Sequence, residues 1–436
     1  MTMRKLSRLL ALLLALAMLA AACGRDDDDD GGSAQTEDTS EDDAASEGGG
    51  EPAETAGFDG TTITLGSLAT LTDRVAIIGV PLQNGMMSYF NRVNDEGGIA
   101  GKYKIEVLTE DTKYDAPTAA QAYAGLKDRV VMFAQILGTP VVNAVLPQLK
   151  ADNIVAQPAT LDAFWVREQN LLPIGAPYQI QVINGMDWYI NEKGSADDTI
   201  CWVGTDDPYG EAGLEGMEFA AEELGFEIAA QPTFATTDTE FTAPINQLKS
   251  AGCQAVFGTF TAASLTGLLG AAAQQGFAPV WITQSPSWLS VFAGTALKDY
   301  LEANYYVVSE GPAWGDESAP GMAEMIEDLE KYFPDQAPDQ YYAFGYVEAR
   351  AVVQVLEKAV EMGDLSREGI IEAMNSLEAL DFAGLLGEYS YGPPEDRNPP
   401  RANTISKINS TMPVGLELIV EGYESDAAKA YEFPTE

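Results

Sequence analysis

Histidine is absent from all 436 residues, and cysteine occurs only three times. Without imidazole there is no His-dependent nucleophilic triad, the commonest general base is missing, and ordinary catalytic zinc sites are ruled out. Basic residues are scarce, with 24 Lys and Arg against 67 Asp and Glu and a formal charge of −43. A surface that acidic repels phosphate backbones, which argues against nucleic acid as a partner. Neither a P-loop nor a G-x-G-x-x-G turn follows any strand-like stretch, so nucleotide chemistry has no anchor. Asp206-Asp207 reads as an exposed loop pair rather than an acid/base couple, since adjacent side chains commonly point apart. No metal site and no cofactor is expected. Long apolar runs are missing except for Leu9–Ala22, which is too short to span a bilayer comfortably.

Arg4, Lys5 and Arg8 precede that run and small residues follow it, the arrangement of an export signal over residues 1–22. It ends Leu19-Ala20-Ala21-Ala22-Cys23, which resembles a bacterial lipobox, with the leucine four residues before the cysteine rather than the usual three. The resemblance implies a diacylglyceryl thioether on Cys23, anchoring the chain to the cell membrane on its extracytoplasmic side. Residues 23–57 carry the run Asp26–Asp30 and no strongly apolar side chain, and read as an acidic, self-repelling, disordered tether. Cys201 and Cys253 fall in or beside strand-like stretches. They are read as buried free thiols, because adjacent parallel strands rarely offer disulfide geometry.

The folded part shows alternating periods. Thr62–Gly66 reads as a strand and Ser67–Gly79 as a loop. Met86, Tyr89, Phe90 and Val93 then keep a helical period up to the turn Gly97-Gly98. Tyr103, Ile105 and Val107 alternate with Lys102, Lys104 and Glu106 as in a strand, and Asp115-Ala116-Pro117 opens a capped helix. Val130–Ala134 and Ile154–Ala156 are continuous apolar runs expected of buried parallel strands, with a helix over Val141–Lys150 between them. The pattern restarts near Gln179, with strands at Thr199–Gly204, from Phe226, at Gln254–Gly258 and at Val280–Thr283, and helices between. Beyond Ser309 the chain is helical, with about two short strand candidates, and is expected to cover the earlier units rather than form a third domain. The fold class is therefore α/β, with two doubly wound parallel-sheet lobes.

In such sheets ligands bind beyond the carboxyl ends of the strands. The loops there hold Gly138, Thr139 and Pro140, then Ala159 and Thr160, in the first unit, and Tyr209, Phe260, Thr261, Gln284 and Ser285 in the second. Gly138-Thr139 before a helix offers free N–H groups and a hydroxyl to an anion. The tyrosines of Tyr341–Tyr346 and Met86-Met87 read as packing residues rather than a ligand cage.

Asn91-Arg92-Val93-Asn94-Asp95-Glu96-Gly97-Gly98-Ile99-Ala100-Gly101 resembles the "IN-x-x-GGI-x-G" turn of type I periplasmic binding proteins, in the branch serving branched-chain amino-acid, amide and urea importers. Asp206–Glu211 is similar to that branch's D-x-x-YG-x loop. The resemblance covers about residues 60–420. It implies two Rossmann-like lobes joined by three crossovers near Pro177, Ser309 and Arg401. The first lobe would hold residues 58–177 and 310–400, the second 178–309 and 401–425, with a tail over 426–436. It further implies a small-molecule ligand trapped by hinge closure, permease subunits of an ABC transporter as partners, no catalysis, and a carboxylate held by Gly138, Thr139, Ala159 and Thr160. Tyr209 would close from the second lobe, and Ile77 or Ile78 would touch the ligand side chain. Gln284-Ser285 stands where amino-acid binders carry an acid for the ammonium, so an amide, a urea-like molecule or an organic carboxylate competes with an amino acid. A sensory receptor domain of the same fold and an extracellular enzyme are the alternative functions.

Overall fold

The computed structural model describes residues 50–435. The export signal, Cys23 and most of the acidic tether lie outside them. Residues at the end of that tether pack tightly: Thr55 and Phe58 close a turn, and Gly57 O accepts from Thr64 N at 2.7 Å. Phe58 is buried, so the ordered chain begins before the residue at which apolar patterning starts.

The first sheet is four-stranded and all parallel, in the order β2-β1-β3-β4. It is built by β1 (Thr62–Ala69), α1 (Ala76–Asp95), β2 (Lys104–Asp111), α2 (Ala116–Leu126), β3 (Phe133–Leu137), α3 (Thr139–Asp152) and β4 (Ala156–Ala159). The second is seven-stranded, in the order β13-β12-β9-β8-β7-β5-β6. Its parallel part comes from α4 (Tyr178–Glu192), β5 (Ile200–Thr205), α5 (Pro208–Leu224), β6 (Thr233–Phe234), α6 (Thr242–Ala251), β7 (Ala255–Thr259), α7 (Ala262–Gln274), β8 (Val280–Gln284), α8 (Lys298–Asn304) and β9 (Tyr305–Ser309). In both sheets the first strand lies between the second and the third. The strand order therefore reverses there, and the loops after β1, β3, β5 and β7 open a crevice.

After β9 the chain returns to the first sheet with α9 (Pro320–Tyr332), α10 (Gln340–Met362) and α11 (Arg367–Ser376), whose apolar faces join Ile63, Leu65, Met86 and Phe90 in one core. Gly85 of α1 and Gly345 of α10 let these helices touch at backbone distance. A Cβ would stand 1.9 Å from Tyr342 O at the first and 2.0 Å from Leu82 O at the second. The tail is richer in strands than its composition suggests. A short pair, β10 (Ala379–Leu380) and β11 (Tyr389–Ser390), precedes an antiparallel hairpin, β12 (Asn403–Ile408) and β13 (Leu416–Tyr423), laid on β9. β13 is half-exposed and carries Glu417, Glu421 and a glycine, which masks its alternation. The last turn, α12 (Asp426–Ala430), buries Ala428, Tyr431 and Phe433 against α4 and α5.

Other differences have local causes. α1 starts at Ala76 rather than after Gly79, although Gly79 and Pro81 read as breakers. Gly79 lies so close to Thr70 O (1.9 Å from an added Cβ) that the helix packs back onto the end of β1, and packing overrides propensity. β3 is Phe133–Leu137 rather than Val130–Ala134. Val130, Val131 and Met132 are just as buried, and a continuous apolar run does not fix which of its residues pair. β4 likewise starts at Ala156. No strand begins at Phe226, where Ile228 makes only a single bridge to Ile200 before β6.

Cys201 and Cys253 are joined in a disulfide, not left as free thiols, with 5.9 Å between their Cα atoms. The objection to paired parallel strands does not apply, because Val256, not Cys253, is the partner of Cys201 in the ladder. Cys253 precedes β7, just after Gly252 ends α6 with a φ of 76°.

Candidate functional site

Between the lobes lies a cavity with about 170 Å³ open to the centre of a water molecule. Its first-lobe wall begins at Gly138, whose φ of 101° turns the chain from β3 into α3; a Cβ there would strike Tyr114 at 2.3 Å. The turn places Thr139 at the start of α3, where its hydroxyl lies 2.6 Å from that of Thr160, just beyond β4. Tyr178, at the start of α4, lines the cavity beside Thr160.

The second-lobe wall is set by Asp207, which caps α5. Its Oδ1 accepts from Tyr209 N and Gly210 N at 3.1 Å and from Thr205 Oγ1 at 2.8 Å, and Oδ2 accepts from Thr236 Oγ1 at 2.8 Å. This fixes Tyr209, whose ring lies 4.8 Å from that of Tyr178. Burial raises the Tyr209 phenol well above its ordinary value, so the hydroxyl stays protonated. Neither Tyr209 Oη nor Thr261 Oγ1 has a hydrogen-bond partner although both are buried. Buried polar atoms of that kind cost stability unless a ligand satisfies them.

Glu310, directly after β9, is the one Asp, Glu, Lys or Arg in the cavity wall among the described residues. Its Oε1 accepts from Gln181 Nε2 at 2.9 Å, while Oε2 is buried without a partner. Burial pushes its pKa up to about 8 against the pull of Ala176 N–H and the Gln181 amide, which favours the neutral carboxyl. The wall therefore offers hydroxyls, N–H groups and apolar surface, but no cation.

The lobes are closed on each other. Val75, Ile78 and Leu82 share one apolar cluster with Phe234, Phe241 and Phe260 of the second lobe. Two polar clasps flank the cavity. Arg74 donates to Thr237 O (3.1 Å), Asp238 O (2.6 Å) and Ala263 O (3.0 Å) across the seam. From α10, Gln340 Nε2 donates to Ser285 O (2.7 Å) and Trp288 O (3.0 Å), and Tyr341 Oη to Pro286 O (2.6 Å).

Of the residues singled out in the sequence, Ile78, Gly138, Thr139, Ala159, Thr160, Tyr209, Thr261 and Ser285 line this one cavity. Four do not. Ile77 faces outward on α1 at 42% exposure, and Pro140 follows Thr139 without joining the wall. Phe260 is buried in the apolar cluster, and Gln284 is turned inward to donate to Tyr178 O at 2.9 Å. Glu310, an acid the sequence offers as a stand-in for the one absent at Gln284-Ser285, joins the wall, whereas Tyr114, Tyr178 and Trp314 were missed. So were Tyr341 and Phe344: Tyr342 and Tyr346 of the same run are core residues as expected, but the other two face the cavity. Helical spacing would have separated the two faces, since Tyr342 and Tyr346 are four apart and Tyr341 and Phe344 three apart.

Among the described residues no group of His, Cys, Asp and Glu is arranged to hold a metal ion, and no helix is long and apolar enough to cross a membrane. The chain matches the family described as periplasmic binding protein over residues 62–412. A fatty acid ABC transporter substrate-binding protein from Thermomonospora curvata superposes with a TM-score of 0.81 at 26% identity, covering 88% of this chain and 97% of that one. A branched-chain amino acid ABC transporter protein from Thermus thermophilus with bound valine gives 0.73 at 17% identity, over 85% and 98%. The isoleucine complex of a branched-chain amino acid transporter substrate binding protein from Streptococcus pneumoniae gives 0.67 at 19%, over 82% and 99%. No curated protein matches the chain. With closed α/β lobes, a cavity between them and a family match over most of its length, the chain belongs to the periplasmic binding proteins and has their type I fold.

Proposed function

We propose that this chain is the extracytoplasmic, lipid-anchored binding subunit of an ABC importer, closing its lobes over a small ligand and delivering it to permease subunits without chemical change. The lipid anchor rests on the sequence ending in Cys23. The ligand head is a carboxylate or an amide without an ammonium group. One observation carries this: the unpartnered hydroxyls of Tyr209 and Thr261 share a cavity with the Thr139–Thr160 pair, and Glu310, the only acid among the described residues of its wall, is biased by burial toward its neutral form. Neutral donors and a helix N-terminus suit an anionic or carbonyl oxygen. The described ligands of two relatives, a fatty acid and valine, bracket the choice between aliphatic acid and aliphatic amino acid.

The test is a calorimetric comparison of valine, isovalerate and isovaleramide, with thermal shifts over a wider set of acids, amides and urea. Isovalerate or its amide is expected to bind more tightly than valine. Thr139→Ala and Tyr209→Phe should each weaken binding by roughly ten-fold, the cost of one hydrogen bond in a dry site. Tighter valine binding, or unchanged affinity in both variants, would overturn the assignment of the head group.

A further inference from the structure

The hydroxyl end accounts for only part of the cavity wall. We propose that the remainder is a tail trough, and that the ligand carries a long unbranched aliphatic chain lying between helices α9 and α10 of the first lobe and the β12–β13 hairpin of the second. This rests on the reading that the interlobe cavity is the ligand site.

The trough is patterned on both sides. Met322 and Met325 stand one turn apart on α9, with Val347 of α10 beside them. Opposite, Leu416 and Leu418 alternate onto one face of β13. These side chains line the same cavity as Thr139 and Tyr209. Its two sides differ in exposure: Met322 and Met325 of α9 are buried, whereas Leu418 of β13 and Met412 before it are 37% and 39% exposed. The α9 side is therefore dry and the β13 side opens at the free edge of the second sheet. Apart from Glu310, no charged group interrupts the wall. α9 and β13 bring no polar side chain to the wall; β12 brings Thr404 and Ser406, and the Thr404 hydroxyl is already used, donating to Gly311 O at 2.9 Å. Methionines suit a flexible chain, because unbranched, polarizable side chains adapt to its shape.

Extent points the same way. The same cavity runs from Thr139 and Tyr209 past Met322 and Met325 to Leu416 and Leu418, with walls from both lobes. A branched-chain amino acid would fill the polar end and leave the trough without a partner. A fatty monocarboxylate fills both.

The experiment is a chain-length series of saturated monocarboxylates, from butanoate to hexadecanoate below their micelle concentrations, with leucine for comparison, titrated calorimetrically into the full-length chain. Affinity should rise several-fold for each added methylene through the middle of the series, the gain expected for burying a methylene, and level off as the chain reaches the open rim. Two variants read the trough itself. Met325→Trp fills the buried side, and Leu418→Asp, at an exposed position where folding is safe, places a charge at the rim. In each, the ratio of dodecanoate to pentanoate affinity should fall by ten-fold or more. If affinity is flat beyond pentanoate, or the ratio is unmoved in the rim variant, the trough proposal is overturned while the binding function stands. If no acid in the series binds at all, the assignment of a carboxylate head fails and the trough proposal falls with it.

Discussion

Glu310 illustrates what a single side chain does at a crossing point between lobes. It follows β9, faces Gly175 and Ala176 of the preceding connection and holds the Gln181 amide of α4. Its pKa, pushed to about 8 by burial, lies above the ordinary carboxylate value, so the folded state binds a proton that the unfolded state has lost. The stability that this proton supplies is fully present below the ordinary value and is lost as pH rises through about 8. Asp339, pushed to about 7, and Asp162, to about 6, act in the same direction, both mainly through burial. Thermal unfolding without ligand should therefore show the melting temperature falling between about pH 5 and about pH 9. Glu310→Gln should flatten the upper part of that fall, and an unchanged slope would show that Glu310 titrates normally in the fold.

At the scale of elements, the second lobe is stapled and the first is not. The Cys201–Cys253 disulfide ties β5 to the turn before β7 and closes a loop across a sequence separation of 52. A loop of that length constrains the unfolded chain enough to contribute about 2–4 kcal/mol. The double variant Cys201→Ser/Cys253→Ser should lower the denaturant midpoint of the second-lobe transition by a corresponding amount. A midpoint unaffected by either substitution or reductant would show that the bond contributes nothing. The first lobe is held instead by α1 against α10, where Gly85 and Gly345 allow near backbone contact. Gly97-Gly98, with φ values of 123° and 92°, serves the turn into β2 and takes no part in the cavity wall. The most family-specific stretch of the sequence is thus scaffold.

For the whole molecule, closure is held by two clasps made almost entirely to backbone carbonyls, Arg74 on one flank and Gln340 with Tyr341 on the other. Carbonyl acceptors do not titrate, so the Arg74 clasp is insensitive to pH, unlike Glu310. Arg74 is absent from the cavity wall, so it acts on the open–closed balance rather than on ligand recognition. Arg74→Ala should raise the ligand dissociation rate by roughly ten-fold and change association less, with the order of preference among ligands preserved. Stopped-flow fluorescence reads both rates, with Trp314 in the cavity wall as a reporter. A changed ligand order with an unchanged dissociation rate would place Arg74 in recognition instead.

Much of this was legible in the chain because it is local. Periods of 3.6 and 2, glycine turns and capping residues mark helices and strands wherever one face must be buried; five loops after strands named seven residues of the cavity wall, and the family resemblance added Ile78. The sequence by itself determined the α/β class, the tandem lobes and most of the hydroxyl-bearing loops that line the cavity. Only the tertiary structure decided the rest. It turned Ile78 inward and Ile77 outward, set Cys253 within reach of Cys201, carried Glu310 to the cavity, and brought α9 and β13 together as the walls of one trough. Those are contacts between segments far apart along the chain, which burial and hydrogen bonding across the fold select and no local pattern encodes.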